Sequence, residues 1–504
     1  MLFWLLWTGD AAEVKVKRRD RRSNAKMPDS YSDCCGKTTL RKFGGGSGES
    51  GWHVHRAAMK SNPEQTGEQN ERPGGRLALA LLAPIVGTMS GLLGAIFRLA
   101  LERADHLRNA AIIWGHGPNV ARIFIVVAAC AGGAGLAAWM VRRFSPSASG
   151  SGIPEVEAVL EGQRHDAPYR AIPVKFLGGL LAIGSGLALG REGPSVQMGA
   201  SIAHFVGKTF KRNWPDCRVL MAAGAGAGLA TSFNSPIAGA LFVLEELVKR
   251  FEPSIAIVAL GASSSAILVA RYFLGDMPDF HVQALAYPSN VMKPLFFVLG
   301  VLAGFAAIAY NRAILGALSA ADRLHQWPAE LRAAIIGGAV GMLAWFAPDL
   351  VGGGDLLTQK TLLGQGTIAM IPLTFLVRFV LGAVSYASET PGGLFAPMLV
   401  LGAQLGLLFG LLCRSIFSDL SIQPEAFAVV GMAAFFCGVV RAPLTGIVLV
   451  TEMTGNVTML PAMLGACFAA MLVPALLGNA PIYESLSARG VQVSPGSRNR
   501  CVVP

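Results

Sequence analysis

The sequence predicts an all-α polytopic membrane protein made of two related halves, with broken helices meeting at a buried site. Three observations carry this. First, 53% of the 504 residues are hydrophobic and 14% charged, with a mean hydropathy of +0.50, outside the range of ordinary soluble domains. Second, glycine and proline interrupt the apolar runs in their middles, at Gly190 to Pro194, Ser235-Pro236, Pro391-Gly392-Gly393 and Arg441-Ala442-Pro443. Irregular backbone at membrane depth is tolerated only where it is buried in protein or lines a cavity, which favours a transporter or channel over a receptor bundle. Third, Gly224, Pro236, Gly239 and Glu245 recur 207 positions later as Gly431, Pro443, Gly446 and Glu452.

Residues 1–76 are polar and rich in Lys, Arg, Gly and Ser, without sustained periodicity, and are expected to be a disordered basic tail. Much of the formal charge of +11 lies there and in short connectors. A basic tail beside a membrane reads as a cytoplasmic anchor to anionic lipid. The segment Lys15 to Arg22 lacks the folded scaffold and interleaved aromatics of a nucleic-acid binder. Met1 to Trp7 has no basic n-region or cleavage site and is not read as a signal peptide. Met27 and Met59 are later candidate starts.

Apolar runs follow near 77–100, 120–141, 172–190, 219–248, 254–274, 293–319, 333–350, 368–387, 393–418, 426–451 and 458–478. Glu192, Pro194, Gly199 and Ala200 match Phe395, Pro397, Gly402 and Ala403 at an offset of 203. The halves are accordingly 77–275 and 291–490, the second including a closing helix, joined by a connector at 276–290 and followed by a tail at 491–504. In repeated transporters the site sits near mid-membrane, where broken helices of the two halves face each other. The breaks 190–194 and 391–397 are therefore expected to meet. Cys130, Cys413, Cys437 and Cys467 sit in apolar runs, Cys34 and Cys35 in the tail, and Cys217 and Cys501 alone. No pair has metal-ligand spacing, so reduced structural thiols and no metal or other cofactor are expected.

Four of the breaks carry chemistry. Gly190-Arg191-Glu192-Gly193-Pro194 sets a carboxylate just before a proline suited to a first helical turn. Free N–H groups at a helix start attract negative charge, so Glu192 either occupies such a site or yields it to a soluble anion; the plainer alternative is an N-terminal cap. Gly150-Ser151-Gly152-Ile153-Pro154 adds a hydroxyl, Gly392-Gly393-Leu394-Phe395-Ala396-Pro397 adds N–H groups and a ring, and Pro481-Ile482-Tyr483 adds a phenol. Donors without cation ligands describe a site for a small anion.

These motifs, GSGIP at 150–154, GREGP at 190–194, GGLFAP at 392–397 and the tyrosine at 483, resemble in kind and order those of the CLC family of chloride channels and proton-coupled chloride transporters. The resemblance covers about residues 77–490. It implies inverted repeats of tilted, partial helices, and a homodimer with one pathway per subunit. By similarity, Ser151 and Tyr483 donate hydroxyls to a central chloride, the N–H groups of Leu394 and Phe395 complete its shell, and Glu192 is the gating glutamate. The helix-start glycines Gly150, Gly152, Gly190, Gly193 and Gly393, with Arg191, belong to the same motifs. Glu246 matches the family's inner proton-transfer glutamate, although Glu245 and Glu246 beside Lys249 and Arg250 also fit a solvated cap. Glu157 matches a buried glutamate of structural type.

Gln197 stands where many animal relatives have histidine, and the nucleotide-binding CBS pair of those relatives is missing before Pro504. Both departures point to a compact form of the bacterial inner membrane, with cytoplasmic termini and membrane lipid, chloride and protons as partners. The activity implied is chloride/proton antiport, with a passive chloride channel as the alternative. An intramembrane hydrolase is disfavoured because Ser151 has no nucleophile-elbow context and His204 is the only histidine near a site.

Overall fold

The computed structural model describes residues 73–116, 121–163, 169–287, 289–290, 292–417 and 421–493. Nearly all of the basic tail, with Lys15 to Arg22, Cys34 and Cys35, lies outside these residues, as do positions 494–504 with Cys501.

Seventeen α-helices make up the described chain. They are α1 (Pro73–Gly115), α2 (Ala121–Phe144), α3 (Ile153–Leu160), α4 (Ala171–Gly184), α5 (Glu192–Thr209), α6 (Trp214–Phe233), α7 (Pro236–Phe242), α8 (Pro253–Leu274), α9 (Lys293–Arg323), α10 (Ala329–Phe346), α11 (Asp355–Leu362), α12 (Met370–Tyr386), α13 (Phe395–Ile416), α14 (Pro424–Val440), α15 (Pro443–Thr454), α16 (Leu460–Leu476) and α17 (Ile482–Val493). Only α1, α2, α8, α9, α10 and α13 are long and apolar enough to cross a bilayer alone. Several of the others have one end buried in the protein interior, as the interrupted runs predict: α5 starts at buried Glu192 and α6 ends at buried Phe233.

Three predicted runs differ in extent or continuity from their hydropathy, two of them at breaks the sequence marks. The run expected to stop near residue 100 continues as helix to Gly115, because the residues beyond it, among them Glu102, Asp105 and Arg108, tolerate a helix as well as they tolerate water. The run 219–248 is two helices. Asn234 takes a left-handed backbone (φ 50°) as the cap of α6, and Pro236 opens α7. The same break recurs 207 residues later, where Arg441 is left-handed (φ 70°) at the end of α14 and Pro443 opens α15. Asparagine tolerates this backbone; arginine carries a cost of about 1–2 kcal/mol, and a hydrogen bond from its guanidinium to the Asn479 carbonyl holds it.

Two further features tie the halves together. Glu245, at the end of the first broken pair, accepts hydrogen bonds from the N–H groups of Leu444 (3.0 Å) and Thr445 (2.7 Å) at the start of α15. Glu452, its repeat mate, accepts from Ile237 (3.1 Å) and Ala238 (2.8 Å) at the start of α7. Each helix thus caps the other. Start lies against end in both directions, which requires α7 and α15 to run antiparallel about a local two-fold, the geometry of an inverted repeat. At the α5–α6 crossing Gly199 and Gly224 bring their backbones into contact, and Gly402 and Gly431 do the same at α13–α14; a side chain at any of the four would strike the opposite carbonyl.

Candidate functional site

The segments between helices decide where the helix starts point. After α4 ends, the chain turns through Ser185 and left-handed Gly186 (φ 97°), and Gly190 pairs with Gly393 in an antiparallel bridge, N–H to carbonyl at 2.8 and 2.7 Å. Gly150 forms a parallel bridge with Pro391, donating to the Thr390 carbonyl (3.2 Å) and accepting from Gly392 (3.1 Å). Three of the four sequence breaks are therefore stitched edge to edge, and α3, α5 and α13 start from one place.

Glu192 is fully buried there. Its Oε1 accepts a 2.6 Å hydrogen bond from the Ala396 N–H in the first turn of α13, and its Oε2 has no hydrogen-bond partner. Gly193 packs on Ser151: a side chain at 193 would lie 2.6 Å from Ser151 Oγ. Gly393 packs on the Gly193 N–H at 2.8 Å by the same measure. Leu394 caps α13 and, like Phe395, is fully buried. Phe395 sits among rings, with centroids 4.7 Å from Phe436, 5.8 Å from Phe242 and 6.1 Å from both Phe233 and Tyr483. The Ser151 and Tyr483 hydroxyls are both buried, and neither meets hydrogen-bond geometry with any group. Two buried hydroxyls without hydrogen-bond partners, beside helix N-termini, leave donors available to a small ligand.

Arg191 contributes backbone only. Its guanidinium turns away to Asp355 (2.8 Å), Asp279 (3.5 Å) and the Ser232 carbonyl (3.0 Å). The motif glycine Gly152 is left-handed (φ 87°) as the cap of α3 and abuts Gln197, whose amide donates to the Ser147 carbonyl. Gln197 thus fills, as an uncharged side chain, the place noted in sequence. His204 lies edge-on to Trp214 with centroids 6.0 Å apart.

Three features went unseen in sequence. The donor to Glu192 is Ala396, one residue past the predicted pair. Lys175 on α4 is fully buried and donates to the Gly150 carbonyl at 2.7 Å. Arg378 on α12, 203 positions later, is equally buried and donates to the Leu350, Gly352 and Gly353 carbonyls at 3.1, 2.8 and 3.0 Å. Each cation pins the loop that opens a short helix, α3 or α11. A lone cation in an apolar run is itself a signal, and here the repeat offset doubles it. Glu246 stands in a π turn, Val243–Leu247, that ends the first broken pair, and it is buried. Residues in such turns often serve function.

Interrupted membrane helices whose starts surround a buried carboxylate and unpartnered hydroxyls fit a membrane transport protein. Residues 132–475 match the family described as voltage gated chloride channel. The chain belongs to this family. It is 38% identical to the H(+)/Cl(-) exchange transporter ClcA of Yersinia pseudotuberculosis serotype IB over 430 residues, 82% of this chain and 88% of the relative. The same identity extends over 431 residues to the H(+)/Cl(-) exchange transporter ClcA of Cronobacter sakazakii, 82% and 90% of the two chains. Among solved structures it is similar to a slow cyanobacterial Cl-/H+ antiporter, with a TM-score of 0.79 and 31% identity over 84% of this chain and 99% of the other. A eukaryotic CLC transporter superposes with a TM-score of 0.71 at 25% identity, covering 82% of this chain and 74% of that one.

Proposed function

We propose that this chain exchanges chloride for protons across a bacterial inner membrane, with Glu192 as the gate. One observation carries the reading: the Glu192 carboxylate already sits as an anion would, on the Ala396 N–H at the start of α13, with the Ser151 and Tyr483 hydroxyls unpartnered nearby.

A bare anion in hydrocarbon is prohibitively costly. Helix starts replace its hydration with fixed partial charges, each worth about 0.3–2 kcal/mol. Several aimed at one spot hold chloride without a fixed lysine that would bind too tightly to release it. Ionised, Glu192 occupies the outer position; protonated, it loses its attraction to N–H donors and chloride displaces it. Chloride in the central position is held by Ser151, Tyr483, Leu394 and Phe395. Glu246 passes protons between the cytoplasmic side and Glu192, so that anion movement one way drives proton movement the other. All these residues belong to one chain, which supports a complete pathway in each subunit of the homodimer the resemblance implies. The halves 77–275 and 291–490 form the two repeats. The basic tail supports cytoplasmic termini and contact with anionic lipid.

Reconstituted into liposomes and read with chloride and pH electrodes together, the protein should drive protons uphill on a chloride gradient. Glu192→Ala should leave chloride flux that ignores pH, and Glu246→Gln should keep chloride flux while losing uphill proton transport. Uphill proton movement by Glu192→Ala removes the gate assignment. A reversal potential of the native protein indifferent to an opposing pH gradient makes it a passive channel.

A further inference from the structure

Around Glu484, next to Tyr483 in sequence, lies a second group of charges. Beyond the π turn the chain bends through Lys249, whose backbone is left-handed (φ 55°), a conformation that costs a residue with a Cβ about 1–2 kcal/mol. The Lys249 ammonium explains what holds it there. It lies 2.5 Å from Glu157 Oε1 on α3 and 3.7 Å from Glu484 Oε1 on α17. Glu157 is buried and its Oε2 has no partner. Glu484, next to Tyr483 in sequence, has a side chain 52% exposed. The charges that act most on buried Glu246 are Glu157, Lys249, Glu245 and Glu484.

The other charged groups around the cluster are engaged or outside it. Glu245 caps α15. Arg441 donates to the Asn479 carbonyl and Arg218 to the Leu160 carbonyl. Glu161 accepts from Gln163, and Arg250 is exposed. Two helices and the bend after the π turn thus contribute one exposed carboxylate, one bridging ammonium and one buried carboxylate, arranged by exposure from water inward.

We propose that Glu484 and Lys249 form the proton port of the exchanger, acting as positioning residues that set when Glu246 takes up and gives up its proton. This rests on the reading of Glu246 as the inner proton-transfer group. Glu484 meets protons from water. When it is neutralised, Lys249 is left to Glu157, and the net negative charge around Glu246 falls, which eases release of the proton inward. The two residues act on Glu246 with opposite sign. A nearby ammonium favours the ionised carboxylate, and a nearby carboxylate opposes it.

The test uses the full chain in uniformly oriented proteoliposomes, with proton and chloride fluxes followed against the pH on the Glu484 side. Lys249→Met should move the midpoint of proton transport to higher pH and Glu484→Gln to lower pH, each by about 0.5–1 unit. Lys249→Arg should restore the native midpoint. In a Glu192→Ala background, where chloride moves without protons, neither variant should change chloride flux. Shifts of the same sign, no shift in either variant, or loss of chloride flux in the Glu192→Ala background would overturn the port. Glu246→Gln separates this from the parent reading: proton coupling retained there removes the role of Glu246, whereas coupling lost there with unmoved midpoints in the other two removes only Lys249 and Glu484.

Discussion

Glu245→Ala tests whether the reciprocal caps bind the two halves. The Glu245 carboxylate accepts from Leu444 N at 3.0 Å, Thr445 N at 2.7 Å and Thr445 Oγ1 at 2.8 Å, while Glu452 accepts only from Ile237 and Ala238. A hydrogen bond to a charged group contributes about 1.5–3 kcal/mol, and the dipole at a helix start up to about 2 more. The bonds share one carboxylate and must offset its own desolvation, so the net loss is below their sum, about 2–4 kcal/mol for Glu245→Ala. Glu452→Ala, with two bonds in place of three, should cost about two-thirds as much. Thermal unfolding in detergent, followed by intrinsic fluorescence at saturating chloride, should rank native above Glu452→Ala above Glu245→Ala. A Glu245→Ala protein that melts with the native one, or a reversed order of the two variants, would show that the halves are held by apolar packing alone and that these carboxylates are incidental to it.

The remaining predictions concern the anion site and the loops that hold it. Gly193→Ala places a methyl against the Ser151 carbonyl and Oγ; chloride affinity by calorimetry should fall at least about tenfold, while Gly132→Ala, which faces open space, should leave it unchanged. Ser151→Ala and Tyr483→Phe each delete one unpartnered buried hydroxyl, and each should weaken chloride binding roughly 5- to 30-fold, the equivalent of about 1–2 kcal/mol. Arg378→Lys keeps the charge but loses the planar fork that reaches three carbonyls; thermal stability should drop by about 2–4 kcal/mol with the ratio of chloride to protons unaltered.

The breaks at Glu192 and Phe395 were legible because a glycine-flanked proline inside an apolar run has few structural meanings, and the offset of 203 made them mates. Their meeting in the Gly190–Gly393 bridge follows from those facts. The length of α1 was not legible, since hydropathy registers where water begins and helix propensity does not stop there. Nor was the π turn at Val243–Leu247, which no residue type marks. The long-range partners of charged groups lie between these cases. Glu245 and Glu452 are mates at an offset of 207, and so are the residues that each caps. Because the local two-fold passes between α7 and α15, equivalence in sequence becomes mutual contact in space. Lys175 and Arg378 are mates at 203, but they stand away from that axis, so each cation serves the loop of its own half. An internal repeat therefore tells which charges correspond; whether corresponding charges touch depends on the position of the axis, and only the packing of the helices supplies that.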